Sequence, residues 1–406
     1  MTVVLERANN VRIPLNKLRK SLNIVLKRKN LVKEQRVAKV YLTKMDLESA
    51  GTSNGVPPKK KFKYSIGKDS YKSSLASLPK VVLQRIFSYL DVRSIQNCAI
   101  LCSTFYNLSK DSSLYKTLNL NYEMSPQAIE YYISKVTNPD TIEILYENEQ
   151  SKDEDTTWFD TSIVKVLRNC GDSIVTLKIE NCRNEEVLLN IAECINLEKI
   201  ILYKCKSTFS SLLSLCTLRS IHFASCHFPV KIVKEVIKNN VDLVYLHLSN
   251  NVNVNPNEVC EMMSMENLGL KEIHLSERKT LKAKSLRTLA RLTNLRKLEL
   301  MSCAGFDCNP EDSLELLAAG CTYLEKLCIH NWKEINDSNF IPAIRMFTQL
   351  KTLELRGTSI TVKSCREAVL SLPLLETLDV VKCQRIKKAQ LLLLRKDFND
   401  LEIPIE

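Results

Sequence analysis

Glycine is scarce in this chain, with 8 among 406 residues, and only Gly51 and Gly55 lie close together. A phosphate-cradling loop needs glycines at short fixed spacing so that backbone N–H groups can reach the ligand, so loops of that kind are excluded. No apolar run approaches the roughly 18 residues of a membrane span, no signal-peptide core opens the sequence, and the terminal EIPIE carries no lipidation signature. Cysteine is plentiful at 15, yet no Cys-x-x-Cys pair occurs, which removes the commonest zinc-ligand spacing. No Ser/His/Asp set, paired carboxylates or cofactor motif stands out. The expectation is a non-enzyme with no catalytic residue, no metal ligand and no cofactor.

The first informative segment begins at Leu78. Pro79 lacks an N–H and suits the first turn of a helix. Val82, Leu83, Ile86, Phe87 and Leu90 then recur at helical spacing and make one wide apolar face. Asp91 can cap a second helix carrying Ile95, Cys98, Ala99 and Cys102, and a third surrounds Phe105 and Leu108 before Leu114 and Tyr115. About 45 residues cannot bury that much apolar surface internally. Two readings fit: a helical cap for the rest of the chain, or a module that docks a partner.

From Leu118 onward the chain is periodic. On an L-x-x-L-x-L alignment, twelve middle anchors run from Leu118 through Ile142, Leu177 and Ile200 to Leu401, at steps of 21 to 35 residues. Repeats of roughly 20–29 residues stack into a solenoid, each contributing one strand to a parallel sheet and a helix to the outer side. Ser285–Leu292, Ser313–Ala319 and Lys363–Leu370 read as such helices. The predicted fold is α/β, a leucine-rich-repeat horseshoe of about 12 repeats. The domains expected are a basic tail over 1–72, a helical module over 73–117 and the repeats over 118–406.

The helical segment resembles the F-box. The family's Leu-Pro opening is matched by Leu78-Pro79, its aliphatics by Leu83 and Ile86, its Phe-Ser-x-Leu stretch by Phe87, Ser88 and Leu90, and its apolar-Cys pair by Leu101-Cys102. Val81 stands where the family has Glu, and Phe105 and Tyr115 where it has Trp. The resemblance implies docking to a Skp-type adaptor, and through it to a cullin and a RING subunit. It assigns Leu78, Pro79, Val82, Leu83, Ile86, Phe87, Leu90, Ile95, Leu101, Cys102, Phe105 and Tyr115 to the adaptor face. The array resembles the cysteine-containing repeats that accompany F-boxes: Cys182, Cys205, Cys226, Cys303 and Cys383 each lie three residues after a last strand anchor. Cysteine there serves as a small buried apolar residue, and unpaired buried thiols point to a reducing compartment.

Charge is unevenly placed. Residues 1–72 hold 18 Lys/Arg against 5 Asp/Glu, a net of +13, so the remainder of the +12 chain sums to −1. Lys59, Lys60, Lys61 and Lys63 behind a Pro-Pro pair resemble a nuclear-import signal, or form a solvated charge run. Leu15 to Leu26 with interspersed Lys and Arg makes a basic amphipathic stretch suited to anionic membrane or nucleic-acid phosphate, or to a mitochondrial presequence. Cytoplasm, nucleus or both are the expected compartments. The long second repeat suggests an acidic loop of Glu147, Glu149, Asp153, Glu154, Asp155 and Asp160 beside Trp158-Phe159.

On the concave face, His222, His247 and His274 fall in one slot of three successive repeats. Adjacent strands lie about 4.8 Å apart, which predicts a stack of imidazoles. They are either polar fillers or a recognition stripe whose pKa a bound phosphate or carboxylate would raise, favouring protonated rings. Tyr203, Glu299, His330, Trp332 and Arg356 lie nearby as candidate anchors for a protein substrate. The function expected is substrate recognition in a Skp–cullin–F-box ubiquitin ligase. The alternative is a ligase-independent scaffold tethered by its basic tail to nucleic acid or membrane.

Overall fold

The computed structural model describes residues 78–90, 92–136, 138–146, 156–229, 231–276, 281–301, 312–398 and 401–404. The basic tail, its import-like lysines, Asp91, Cys303 and most of the acidic insertion lie outside them. The chain divides into two compact units between Lys116 and Thr117.

The first unit holds helices α1 (Lys80–Phe87), α2 (Val92–Ala99) and α3 (Ser103–Leu108). Pro79 sits one position earlier than expected, as the N-cap of α1 at φ −53° and ψ 141°. Its carbonyl accepts from the amides of Val82 and Leu83, bonds that need no N–H from proline itself. Leu83, Phe87, Ile95, Phe105 and Leu108 are buried, and the Phe87 and Phe105 rings meet edge to face at 5.2 Å. Tyr115 is buried too, its hydroxyl donating to the Ser109 carbonyl at 2.5 Å. A phenol thus carries its own partner inward, which a phenylalanine could not offer.

The second unit is a single parallel sheet of eleven strands in chain order: β1 (Thr117–Asn121), β2 (Thr141–Leu145), β3 (Thr176–Glu180), β4 (Lys199–Tyr203), β5 (Ser220–Ala224), β6 (Tyr245–Ser249), β7 (Glu272–Ser276), β8 (Lys297–Leu300), β9 (Lys326–Ile329), β10 (Thr352–Glu354) and β11 (Thr377–Asp379). The anchors Leu118 to Leu378 pair with one another across every neighbouring strand, as the alignment predicts. Helices on the outer side include Ala283–Leu289, Ser313–Gly320 and Val362–Ser371, so the fold is a leucine-rich-repeat solenoid. Only the last step breaks register. Thr377 bridges to Glu402, which puts Ile403 rather than Leu401 opposite Leu378; both of those apolar residues are buried.

A recurring turn explains the inward cysteines. Asn181, Lys204, Ser225, Asn250, Asn331, Gly357 and Lys382, each four residues after an anchor, have positive φ between 51° and 68°. The left-handed residue turns the chain off the sheet, and the next side chain points into the core. Cys182, Cys205, Cys226, Asn251, Trp332, Thr358 and Cys383 fill that next position, and all are buried. At Gly357 an added Cβ would stand 2.6 Å from Asn331 Oδ1, so that side chain would have to turn aside to admit one.

The acidic insertion needs one correction. Asp160 belongs to the helix Thr157–Cys170 and is buried, accepting from Tyr146 Oη at 2.7 Å, Thr156 Oγ1 at 2.8 Å and Asn184 Nδ2 at 2.9 Å. It ties two repeats together rather than joining a solvated acidic loop. Phe159 is fully buried beside it, and Trp158 stacks on Tyr122 at 5.8 Å.

Candidate functional site: a helical module and the open face of the repeats

The twelve residues assigned to the adaptor face fall into two sets. Leu83, Phe87, Ile95, Phe105 and Tyr115 are at most 6% exposed and build the interior. Ile86, Leu90, Leu78 and Cys102 are partly exposed, and Pro79 is exposed. Val82 and Leu101 keep 39% and 44% of their surface. Three more apolar side chains that periodicity did not single out are more exposed still: Val81 at 74%, Ile100 at 58% and Tyr106 at 49%. Their signal was present in the sequence, as apolar residues off the helix stripe or between helices. Exposed apolar side chains in so small a unit are what a partner would cover.

On the repeats, alternate residues of each strand face away from the helices and form an open face. His222, His247 and His274 stack there with ring centroids 3.9 Å apart at each step, at interplanar angles of 24° and 7°. The register makes the stack, since His222 pairs with His247 and His247 with His274. The expected ladder is therefore present, but its chemistry differs from a row of protonatable rings. Burial, then His274 and His222, hold His247 down to about 3. His222 is lowered by burial and next by His274. Faces this close cannot all carry charge, so the middle ring stays neutral and offers donor and acceptor edges. His247 Nε2 already meets Ser249 Oγ at 3.1 Å.

The stack runs into a chain of alternating charge. His274 Nδ1 donates to Glu299 Oε2 at 2.6 Å, Lys326 Nζ bonds Glu299 Oε1 at 2.7 Å and reaches Glu354 Oε1 at 3.4 Å, and His330 Nε2 meets Glu354 Oε2 at 3.2 Å. The bonds from His274 and His330 pull Glu299 and Glu354 down to about 2. Lys326 is raised despite burial, first through Glu299. Beyond this network, Arg356 Nε donates to buried Asp379 Oδ2 at 2.8 Å. Lys326 and Arg356 each have a carboxylate, so a bound anion would have to compete for them.

The other expected anchors separate. Tyr203 is 37% exposed at the end of β4, with Lys204 Nζ 5.3 Å from its ring centroid. Trp332 is fully buried, which corrects its assignment to the substrate face. It comes directly after the left-handed Asn331 and occupies the inward slot that cysteine fills in other repeats. Cys328, pushed up by burial and then by Glu354, lies with His330 and Glu354 in a group whose ligand atoms are all within 4.8 Å of one another. No metal ligand was expected from the sequence pattern. Two cues existed, Cys328 and His330 two apart on one strand face and Glu354 one repeat on in register with Cys328.

Residues 75–121 match the F-box-like family model. No curated protein matches the chain. Among solved structures it is similar to an internalin (InlF) of Listeria monocytogenes, 16% identical over 77% of this chain and 93% of that one with a TM-score of 0.48. The crystal structure of the Rad7 and Elc1 complex of yeast is 14% identical, over 80% of this chain and 87% of that one, with a TM-score of 0.48. A leucine-rich-repeat protein of Leptospira interrogans is 14% identical over 77% and 98%, with a TM-score of 0.35.

Proposed function

We propose that this chain, an F-box-like domain followed by a leucine-rich-repeat solenoid, is a substrate receptor of a Skp–cullin–F-box ubiquitin ligase. The observation that carries the reading is the family match over 75–121, on a helical module that exposes Val81, Val82, Ile100, Leu101 and Tyr106. The module docks a Skp-type adaptor with those side chains, and through it the cullin and RING subunits. The open face of the repeats holds a target protein, with the His222–His247–His274 stack, Tyr203 and Arg356 as its contacts. The chain performs no chemistry itself. It raises the effective concentration of target lysines at the ligase, and the target is then degraded. It works in the cytoplasm, the nucleus or both.

The test is recovery of adaptor and cullin with the full-length chain, beside a Val82→Glu/Leu101→Glu variant. Stoichiometric recovery that the variant loses supports the reading. No recovery with the parent chain would reduce the module to a cap on the repeats. Alanine at His222, His247 and His274 should then weaken target capture while adaptor recovery holds.

A further inference from the structure

We propose that Cys328, His330 and Glu354 form a binding site for a zinc-type divalent cation on the open face of the repeats. It stands apart from the adaptor reading, and a chain that bound no adaptor would still show it.

The strand places the donors. Cys328 and His330 are two residues apart and share one side of the chain, while Glu354 is the register partner of Cys328 on β10. Sγ, an imidazole nitrogen and a carboxylate oxygen thereby converge within 4.8 Å of one another. Bonds of about 2.0–2.3 Å at tetrahedral angles set neighbouring ligand atoms about 3.3–3.8 Å apart, and His330 Nε2 already lies close to that, 3.2 Å from Glu354 Oε2. Thiolate with imidazole selects zinc over magnesium or calcium, which prefer oxygen alone.

Charge closes as well. Binding replaces the Cys328 thiol proton, which leaves to solvent, and the His330 ring proton shifts from Nε2 to Nδ1. One thiolate and one carboxylate then neutralise the 2+ cation. Lys326 gives up its longer contact to Glu354, 3.4 Å, and keeps the 2.7 Å bond to Glu299. Three protein ligands leave a fourth position. The His330 and Glu354 side chains retain 12% and 21% of their surface, so that position opens on the face where a protein target would lie.

The experiment titrates the chelator-stripped full-length chain with cobalt(II), followed by zinc. The expected result is a thiolate-to-cobalt charge-transfer band that saturates at one metal per chain and is bleached by zinc. Cys328→Ser should abolish the band. His330→Gln and Glu354→Gln should each weaken binding by about tenfold or more, since even outer-shell changes cost that much. Lys326→Gln, which removes a competing cation, should tighten it. No saturable band, or one that survives Cys328→Ser because another thiol such as exposed Cys216 supplies it, overturns the site. Should Cys328→Ser fail to fold, unaltered affinity in both His330→Gln and Glu354→Gln would overturn it equally.

Discussion

His274 and Glu299 are register partners on β7 and β8, and the imidazole Nδ1 donates to the carboxylate at 2.6 Å. This bond links two parts of the open face. On one side it joins two further rings stacked at 3.9 Å, and on the other it begins the Glu299–Lys326–Glu354–His330 chain. The histidine stack thus continues directly into a network of ion pairs.

The stack makes stability depend on pH. In the folded chain the uptake of a second ring proton by His247 is pushed down to about 3, against 6.5 for an unperturbed imidazole. Below 6.5 the unfolded chain binds the extra proton, so stability falls as pH drops from 6.5 towards 3. Glu299 and Glu354, near 2 against an ordinary 4.5, add a second loss below 4.5. The groups facing His247 are His222, His274, Tyr245, Ser249 and, at longer range, Glu299. Melting temperatures measured between about pH 7 and 4.5 should fall less steeply for His247→Asn than for the parent. Parallel curves would count against the buried neutral ring.

In the helical module, position decides what a charge does. Glutamate at exposed Val82 or Leu101 should change stability by less than about 0.5 kcal/mol and still lower adaptor recovery. Glutamate at Leu83 or Phe87, each 1% exposed, buries a carboxylate without a partner and should cost several kcal/mol, about enough to unfold the module. Circular dichroism melts of the four variants distinguish the two outcomes. Equal melts across all four would show that the buried set is not a core.

Asp379 is 3% exposed, and its Oδ1 accepts from the Val381 amide at 3.1 Å while Oδ2 accepts from Arg356. Arg356→Met leaves a buried carboxylate short of a charged donor. Because the guanidinium is half exposed, the cost is about 1–2 kcal/mol rather than that of a fully buried pair. Urea unfolding of Arg356→Met, Asp379→Asn and the double variant should show that the second change recovers part of the first. Strict additivity would show the pair to be uncoupled.

Asn240, 1% exposed, closes the turn between two repeats. Its Oδ1 accepts from Leu218 N at 2.8 Å, and its Nδ2 donates to the carbonyls of Leu215 at 2.9 Å and Val236 at 2.8 Å. Asn240→Ala strands these groups and should lower stability by about 2–3 kcal/mol. Asn240→Asp keeps an acceptor for Leu218 N but turns a buried carboxylate oxygen on the carbonyls of Leu215 and Val236, and should cost at least as much as alanine. A loss below about 0.5 kcal/mol for alanine would show that water replaces the side chain.

The repeat spacing of apolar anchors is a property of the linear chain, and it alone determined the solenoid, the strand register from Leu118 to Leu378 and the histidine stack. Period-two alternation leaves no other way to bury those anchors, and one residue of slip would expose them all. Helical periodicity likewise determined α1 to α3. Apolar character could not separate Leu83, which faces the interior, from Val82 beside it, because the stripe was wide and only packing chose its centre. Trp332 looked like an anchor until the left-handed turn at Asn331 sent it inward. The Cys328–His330–Glu354 group and the Lys326 network depended on which side chains met across repeats, at separations of 24 to 28 residues. Register places such residues in neighbouring slots, as it did the histidines, but which side chains bond across those slots is decided by packing.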